Sequence, residues 1–198
     1  RAYLQHYIQE ITMATATITV TTPYTPIAVE DGKAYLKIPA SVTESDDLVE
    51  ALLLAAKEHV VKITSRLIGL CTVVEYWDGW EFSLLFKLKY GVCSAIASIE
   101  AYDGDSWETV AATDYSADFI SRPARVKMIS TGDYTLGYGL NVVRVTYTAG
   151  TADGSDLPAA LTAAMYQLIG FWYDKGMDQD ASDLATVNAL LRPYILNR

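Results

Sequence analysis

The sequence predicts an α+β fold: helices at both ends packed together, with an antiparallel β region inserted at about residues 71–148. Three observations carry this. Val49, Leu53, Ala56, Val60, Ile63 and Leu67 recur at intervals of 4, 3, 4, 3 and 4, an apolar stripe along one helix face. Leu161, Met165, Leu168 and Trp172 repeat the pattern at 4, 3 and 4. Between the two stripes, from Cys71 to Thr148, the apolar period changes to two, the period of a strand with one buried face.

Taken in chain order, residues 1–12 precede Met13 and read as an upstream extension outside the fold argument. Residues 14–22 alternate Thr with apolar side chains, placing Ala14, Ala16, Ile18 and Val20 on one side and Thr15, Thr17, Thr19 and Thr21 on the other. Pro23 and Pro26 end this stretch. Its small apolar face suggests an arm that is mobile in a free chain. It would become ordered as a strand added to a neighbour, with Thr17, Ile18, Thr19 and Val20 as its intersubunit residues. Residues 1–26 are thus set apart as extension and arm. Residues 27–198 form a single domain, with a helical core in 28–69 and 157–192.

Residues 28–38 suggest a short helix despite Gly32. Ser45 fits the N-cap of the first long helix, and Asp46, Asp47 and Glu50 follow near its positive end. Leu52 and Leu54 widen its stripe and Gly69 stops it. Asp78-Gly79, set between Glu75-Tyr76-Trp77 and Trp80-Glu81-Phe82, signals a two-residue hairpin. Leu84, Phe86 and Leu88 alternate with Leu85, Lys87 and Lys89. Residues 95–102 read as a strand that Asp103-Gly104 turns into residues 107–110. Residues 125–129 form a short strand, and Val143, Val145 and Tyr147 mark the buried side of another. Residues 131–139, rich in Gly and Tyr, read as a loop. Pro158 suits the first turn of the second long helix, which Lys175-Gly176 closes. An acidic loop at 178–183 leads to a last helix over 183–191, ended by Pro193. Leu190, Leu191, Arg192, Tyr194, Ile195 and Leu196 then form a segment with large apolar groups and nothing after it to fold over them. It is expected to be exposed in a lone chain and to dock on a partner.

Composition narrows the function. The 198 residues are 51% hydrophobic and 20% charged, enough for a packed core and too apolar for disorder. Fourteen Tyr against four Phe and four Trp favour half-exposed and interface positions. With 24 acidic and 15 basic residues, the net charge of −9 argues against gripping phosphates over a broad face. Cys71 and Cys93 exclude a disulfide-rich scaffold and a cysteine zinc site; they read as two buried thiols, a disulfide being the alternative. No segment has the length and apolarity of a membrane span, and no secretory signal is evident.

Nor does a catalytic pattern emerge. The two histidines are His6, in the extension, and His59, beside a helix stripe and read as structural. Nucleophile elbow, Walker loop and dinucleotide fingerprint are missing. Asp178-Gln-Asp180-Ala-Ser182-Asp183 resembles half of a calcium loop but lacks its Gly and its closing Glu. Asp103-Gly104-Asp105 is turn chemistry. Glu75 and Glu81 read as strand acids flanking a turn, and Trp77 and Trp80 as cross-strand packing rather than a sugar platform. Catalytic, cofactor and metal residues are therefore set at none.

The order of segments resembles the head-to-tail connector (adaptor) proteins of tailed bacteriophages, a family also found in gene transfer agents. Residues 31–38 (DGKAYLKI) resemble its short helix, residues 46–58 (DDLVEALLLAAKE) its acidic start and long helix, and residues 64–68 (TSRLI) the end of that helix. Residues 94–105 (SAIASIEAYDGD) resemble its hairpin, and residues 143–150 (VRVTYTAG) its strand ending in Ala-Gly. Leu157-Pro158-Ala159-Ala160-Leu161 with Tyr173, and Leu190-Leu191-Arg192-Pro193-Tyr194, resemble its last segments. Thr151 departs from the Tyr often found there, and the Thr-rich arm lies outside the pattern. The resemblance implies a non-enzymatic virion protein of the neck, assembled in the host bacterial cytoplasm. It would form a ring, usually of twelve copies, under the portal protein. The ring would extend a channel that DNA crosses without specific binding, and would meet the next neck or tail protein; no membrane or cofactor is implied. The resemblance also points to the C-terminal segment for ring contacts. Two other readings stay open: a different neck or tail ring, such as a head-closure or tail-terminator protein, and a small ligand-binding or enzymatic α+β domain.

Overall fold

The computed structural model describes residues 10–13, 16–22, 24–80, 84–151, 157–175 and 183–196. The chain divides into two compact units, one formed by Arg1–Pro23 with Gly69–Gly150 and the other by Tyr24–Ile68 with Thr151–Arg198. Helices at both ends of the chain and antiparallel sheets between them make the fold α+β, as expected.

The helical unit holds α1 (Val29–Tyr35), α2 (Asp46–Thr64), α3 (Ala159–Lys175) and α4 (Asp183–Leu191). The stripes fall where the periodicity puts them. Val49, Leu53, Ala56 and Val60 are fully buried, as are Leu161, Met165 and Leu168, and α2 packs on α3. Leu52 joins the buried side, whereas Leu54 lies largely in solvent and does not widen the stripe. Gly32 lets α1 approach: a Cβ there would sit 3.1 Å from Val49 Cγ1 and 3.2 Å from Leu53 Cδ1.

The helix boundaries correct two expectations. Ser45 does not cap α2 with its side chain, because it already lies in helical backbone within a 3-10 turn, Thr43–Ser45. A buried lysine organises that end instead. Lys33 Nζ donates to Ala40 O at 3.2 Å, Val42 O at 2.9 Å and Asp46 Oδ1 at 2.6 Å, tying α1 to the first residue of α2. Three oxygen partners are what a desolvated ammonium requires. At the other end α2 stops at Ser65, four residues before Gly69. Ser65 takes a left-handed φ of 57° and returns its N–H to Val61 O.

The β unit contains two sheets. The larger has six antiparallel strands in the order β1 (Glu10–Met13), β2 (Ala16–Thr22), β3 (Leu70–Trp77), β9 (Val143–Ala149), β5 (Cys93–Tyr102), β6 (Trp107–Thr109). The smaller has β4 (Leu85–Lys87), β8 (Arg125–Met128) and β7 (Tyr115–Asp118), in that order. Cys71 and Val73 of β3, Val143, Val145, Tyr147 and Ala149 of β9, and Ile99 and Ala101 of β5 form the buried face. Asp103-Gly104 turns β5 into β6 as expected, pairing Tyr102 with Trp107.

Of the second arm expected after Asp78-Gly79, Glu81 and Phe82 lie outside the described residues. β3 pairs with β9 as far as Trp77, while its pairing with β2 ends at Glu75. Asp78 Oδ1 accepts from Asn141 N at 2.9 Å, and β4 pairs with β8. Residues 10–12, set aside in the sequence reading, pair with β2 as part of β1.

Candidate interaction surfaces

The arm is the first region expected to make contacts. Thr17, Ile18, Thr19 and Val20 pair with Val74, Val73, Thr72 and Cys71 of β3 in their own chain, and Ile18 is wholly buried. The expectation of an arm left mobile in a single chain is therefore corrected. β3 offers an open edge, and Ala16 and Ile18 close the core over it, so the strand needs no neighbour to satisfy its backbone.

The C-terminal segment, expected to be exposed in a lone chain, also finds contacts within its own unit. Leu191 and Leu196 are buried, Leu190, Tyr194 and Ile195 half-buried, and Arg192 exposed. Leu196 N–H donates to Thr64 O at 3.0 Å, Arg66 Nε donates to Tyr194 O at 3.0 Å, and the guanidinium lies 5.7 Å above the Tyr194 ring. The carbonyls left open at the end of α2 supply what the sequence could not show, a landing place for the tail within its own unit.

The apolar groups that do face solvent sit elsewhere, on loops of the β unit. Ile120 is 93% exposed and Leu140 76%, with Tyr138 fully exposed. Both loops are fastened. Asp118 accepts from Ile120 N, Ser121 N, Ser121 Oγ and Arg125, and these bonds hold its carboxyl well below the usual range. The 131–142 loop is pinned by Tyr134 Oη, which donates to Asp114 Oδ2 at 2.6 Å and accepts from Ala111 N at 2.8 Å. Gly137 N donates to Tyr102 O at 2.7 Å. Fastened loops presenting large apolar tips are suited to contact with another surface, and the sequence reading passed over them as plain loop. Only the surplus of Tyr hinted at them.

At Gly137 the loop lies against the β5–β6 turn so closely that a Cβ would stand 2.7 Å from Gly104 N and 2.8 Å from Gly104 Cα. These are backbone atoms and cannot swing aside. Gly137→Ala is expected to cost about 1–3 kcal/mol in urea unfolding. It should also raise the exchange of the Gly137→Tyr102 hydrogen bond's amide; unchanged stability would show that the loop shifts freely.

In the helical unit, an open cleft of about 490 Å³ is lined by Tyr35, Lys37, Gln167, Phe171 and Asp174 among others. His59 sits half-buried, its ring edge-on to Trp172 with centroids 6.0 Å apart. Burial, then the Lys62 charge, lowers its pKa. Cys71 and Cys93 are both buried and not joined in a disulfide, and burial pushes the Cys93 thiol up to about 11. Trp77 and Trp80 each pack edge-on against Phe86, at 5.0 and 6.3 Å. Glu75 is buried among backbone amides and tyrosines, while Glu81 and residues 178–182 lie outside the described residues. Among the described residues no three His, Cys, Asp or Glu gather to hold a metal ion, and no helix is long and apolar enough to cross a membrane.

Solved structures share this architecture. A chain from the virion of a native gene transfer agent superposes with a TM-score of 0.71 at 18% identity, covering 91% of this chain and 96% of that one. A chain from the neck of the native particle, computed with C12 symmetry, gives 0.68 at 19%, covering 96% and 95%. The neck of the empty particle, computed with C6 symmetry, gives 0.67 at 18%, covering 91% and 96%. The fold is that of gene transfer agent neck chains. The resemblance read from the sequence is thus met in the fold, and the neck-chain fold accounts for nearly the whole length on both sides of each comparison. No protein-family model and no curated protein matches the sequence.

Proposed function

We propose that this chain is a structural protein of a virion neck, a head-to-tail connector that forms a ring under a portal and carries the DNA channel towards the tail. The observation that carries the reading is the neck-chain fold, matched over nine-tenths or more of each chain, in particles solved with C12 and C6 symmetry. The surface chemistry supports it. Fastened loops with exposed Ile120, Tyr138 and Leu140 are fit for contacts between proteins, not for turnover. A ring of twelve would carry twelve times the −9 of one chain, and a wall of that sign repels phosphate and lets DNA slide. Neither a cofactor nor an enzymatic activity enters this reading.

Native mass spectrometry of the protein alone, and then with portal-bearing heads of the same particle, tests it. The free protein is expected to be a monomer, and the portal complex to gain a closed ring of twelve copies. Failure to form a ring on the portal would overturn the connector reading. A ring of six, or one built on tail tubes only, would assign the chain to a different neck or tail position.

A further inference from the structure

In the β unit a carboxylate is sealed into the core, and its described hydrogen bonds come from a backbone amide and a tyrosine hydroxyl. Glu75 of β3 is 2% exposed. Lys89 backbone N–H donates to its Oε1 at 2.9 Å and Oε2 at 3.2 Å, and Tyr147 Oη of β9 lies 3.0 Å from Oε1. Tyr147 Oη also lies 3.2 Å from Tyr90 O and accepts from Tyr90 N at 3.2 Å. Lys89 and Tyr90 belong to the segment that leads from β4, in the small sheet, to β5, in the large one.

The proton inventory separates two states of this cluster. Tyr147 has one hydroxyl hydrogen and two acceptors in reach, Glu75 and the Tyr90 carbonyl. If Glu75 is ionised, it claims that hydrogen, and the Tyr90 carbonyl faces the hydroxyl oxygen with no hydrogen between them. If Glu75 is neutral, it donates its own hydrogen to Tyr147. The hydroxyl is then free to donate to Tyr90 O while still accepting from Tyr90 N–H. The neutral state makes one more hydrogen bond, and that bond fastens Tyr90.

We propose that Glu75, Tyr147 and residues 88–91 form a proton-controlled latch: neutral Glu75 keeps the segment seated on the large sheet, and ionised Glu75 releases it so that water reaches the carboxylate. The described titratable groups facing Glu75 fit this assignment. On β9 there is Tyr147, whose phenol is pushed up by burial and then by the Glu75 charge and stays protonated. On β5 there is Cys93, a thiol held neutral. From the segment itself Lys89 offers a charge, but its Nζ lies over the Tyr90 ring at 5.1 Å and its side chain is exposed. On β2 the residue opposite is Ala16, which carries no charge. Burial raises the Glu75 carboxyl from 4.5 to about 7, outweighing the opposing pull of the Tyr147 hydroxyl, the Lys89 amide and charge, and the Tyr90 amide, so the latch works across neutral pH.

The sign follows from linkage. A carboxyl raised on folding holds its proton more tightly in the folded chain. Its contribution is complete below 4.5 and is lost as pH rises through about 7. Amide hydrogen exchange, corrected for intrinsic rates, tests the latch in the wild-type chain and in Glu75→Gln. Protection of the Lys89 and Tyr90 amides is expected to fall about tenfold or more between pH 6 and 8.5 in the wild type, and to stay level in Glu75→Gln. Over pH 5 to 8 the folding constant of the wild type should fall relative to the variant by on the order of a hundredfold. Equal profiles in the two proteins would overturn the latch. If the variant does not fold, carboxyl NMR of ¹³C-glutamate-labelled wild type decides. A Glu75 midpoint between about 6 and 8 supports the latch, and one below about 5 overturns it.

Discussion

Phe86→Ala is expected to be the most damaging single substitution in the β unit, costing about 3–5 kcal/mol. The ring is fully buried on β4, and Trp77 and Trp80 both pack edge-on against it. Truncation removes the transfer energy of a large side chain and leaves a space lined by two indoles that cannot easily collapse into it. Each edge-on pair contributes about 0.5–1.5 kcal/mol beyond area, and both pairs are lost together. Tryptophan emission should shift to the red, and the urea midpoint followed at that wavelength should fall. A loss below about 1 kcal/mol would mean that the aromatic group repacks and that the small sheet does not depend on it.

Leu168→Ala carries the second large effect, about 2–5 kcal/mol, in the helical unit. Leu168 is wholly buried on α3, which packs on α2. Helical ellipticity is the appropriate readout, because α2 and α3 are the longest helices described. Leu54→Ala is the control. Leu54 is adjacent to Leu53 in sequence but largely in solvent, and its truncation should change stability by about 0.5 kcal/mol or less. Equal losses at Leu54 and Leu168 would show that solvent-facing leucines are covered by another chain.

These two substitutions also mark how far the sequence could be read. A stripe such as Val49-Leu53-Ala56-Val60 repeats over several turns, so each residue corroborates the next, and the buried helix faces were legible. Alternation in β9 was legible for the same reason. Asp78-Gly79 is a local signal: it reports that the chain can reverse, not which strand receives the residues that follow. The strand Tyr115–Asp118 escaped notice because four residues at a sheet edge leave no periodic trace. The in-chain packing of the arm and the tail was illegible for one shared reason. Whether Ile18 or Leu196 lies against its own chain or another's depends on an open strand edge and open helix carbonyls far away in sequence. The Glu75 cluster was invisible in the same sense, since Glu75 and Tyr147 are 72 positions apart.

The way the chain divides has a consequence for synthesis. The helical unit takes its first half from Tyr24–Ile68 and its second from Thr151–Arg198, with most of the β unit translated in between. As the nascent chain leaves the ribosome, α2 emerges with the apolar face of Ala56 and Val60 uncovered by α3, and must wait through Gly69–Gly150 for α3 and α4. The amide that bonds Thr64 O belongs to Leu196, which is made later still. Prematurely terminated chains would therefore display that bare face, and the cell's proteases and chaperones could remove them before they compete for places with finished copies.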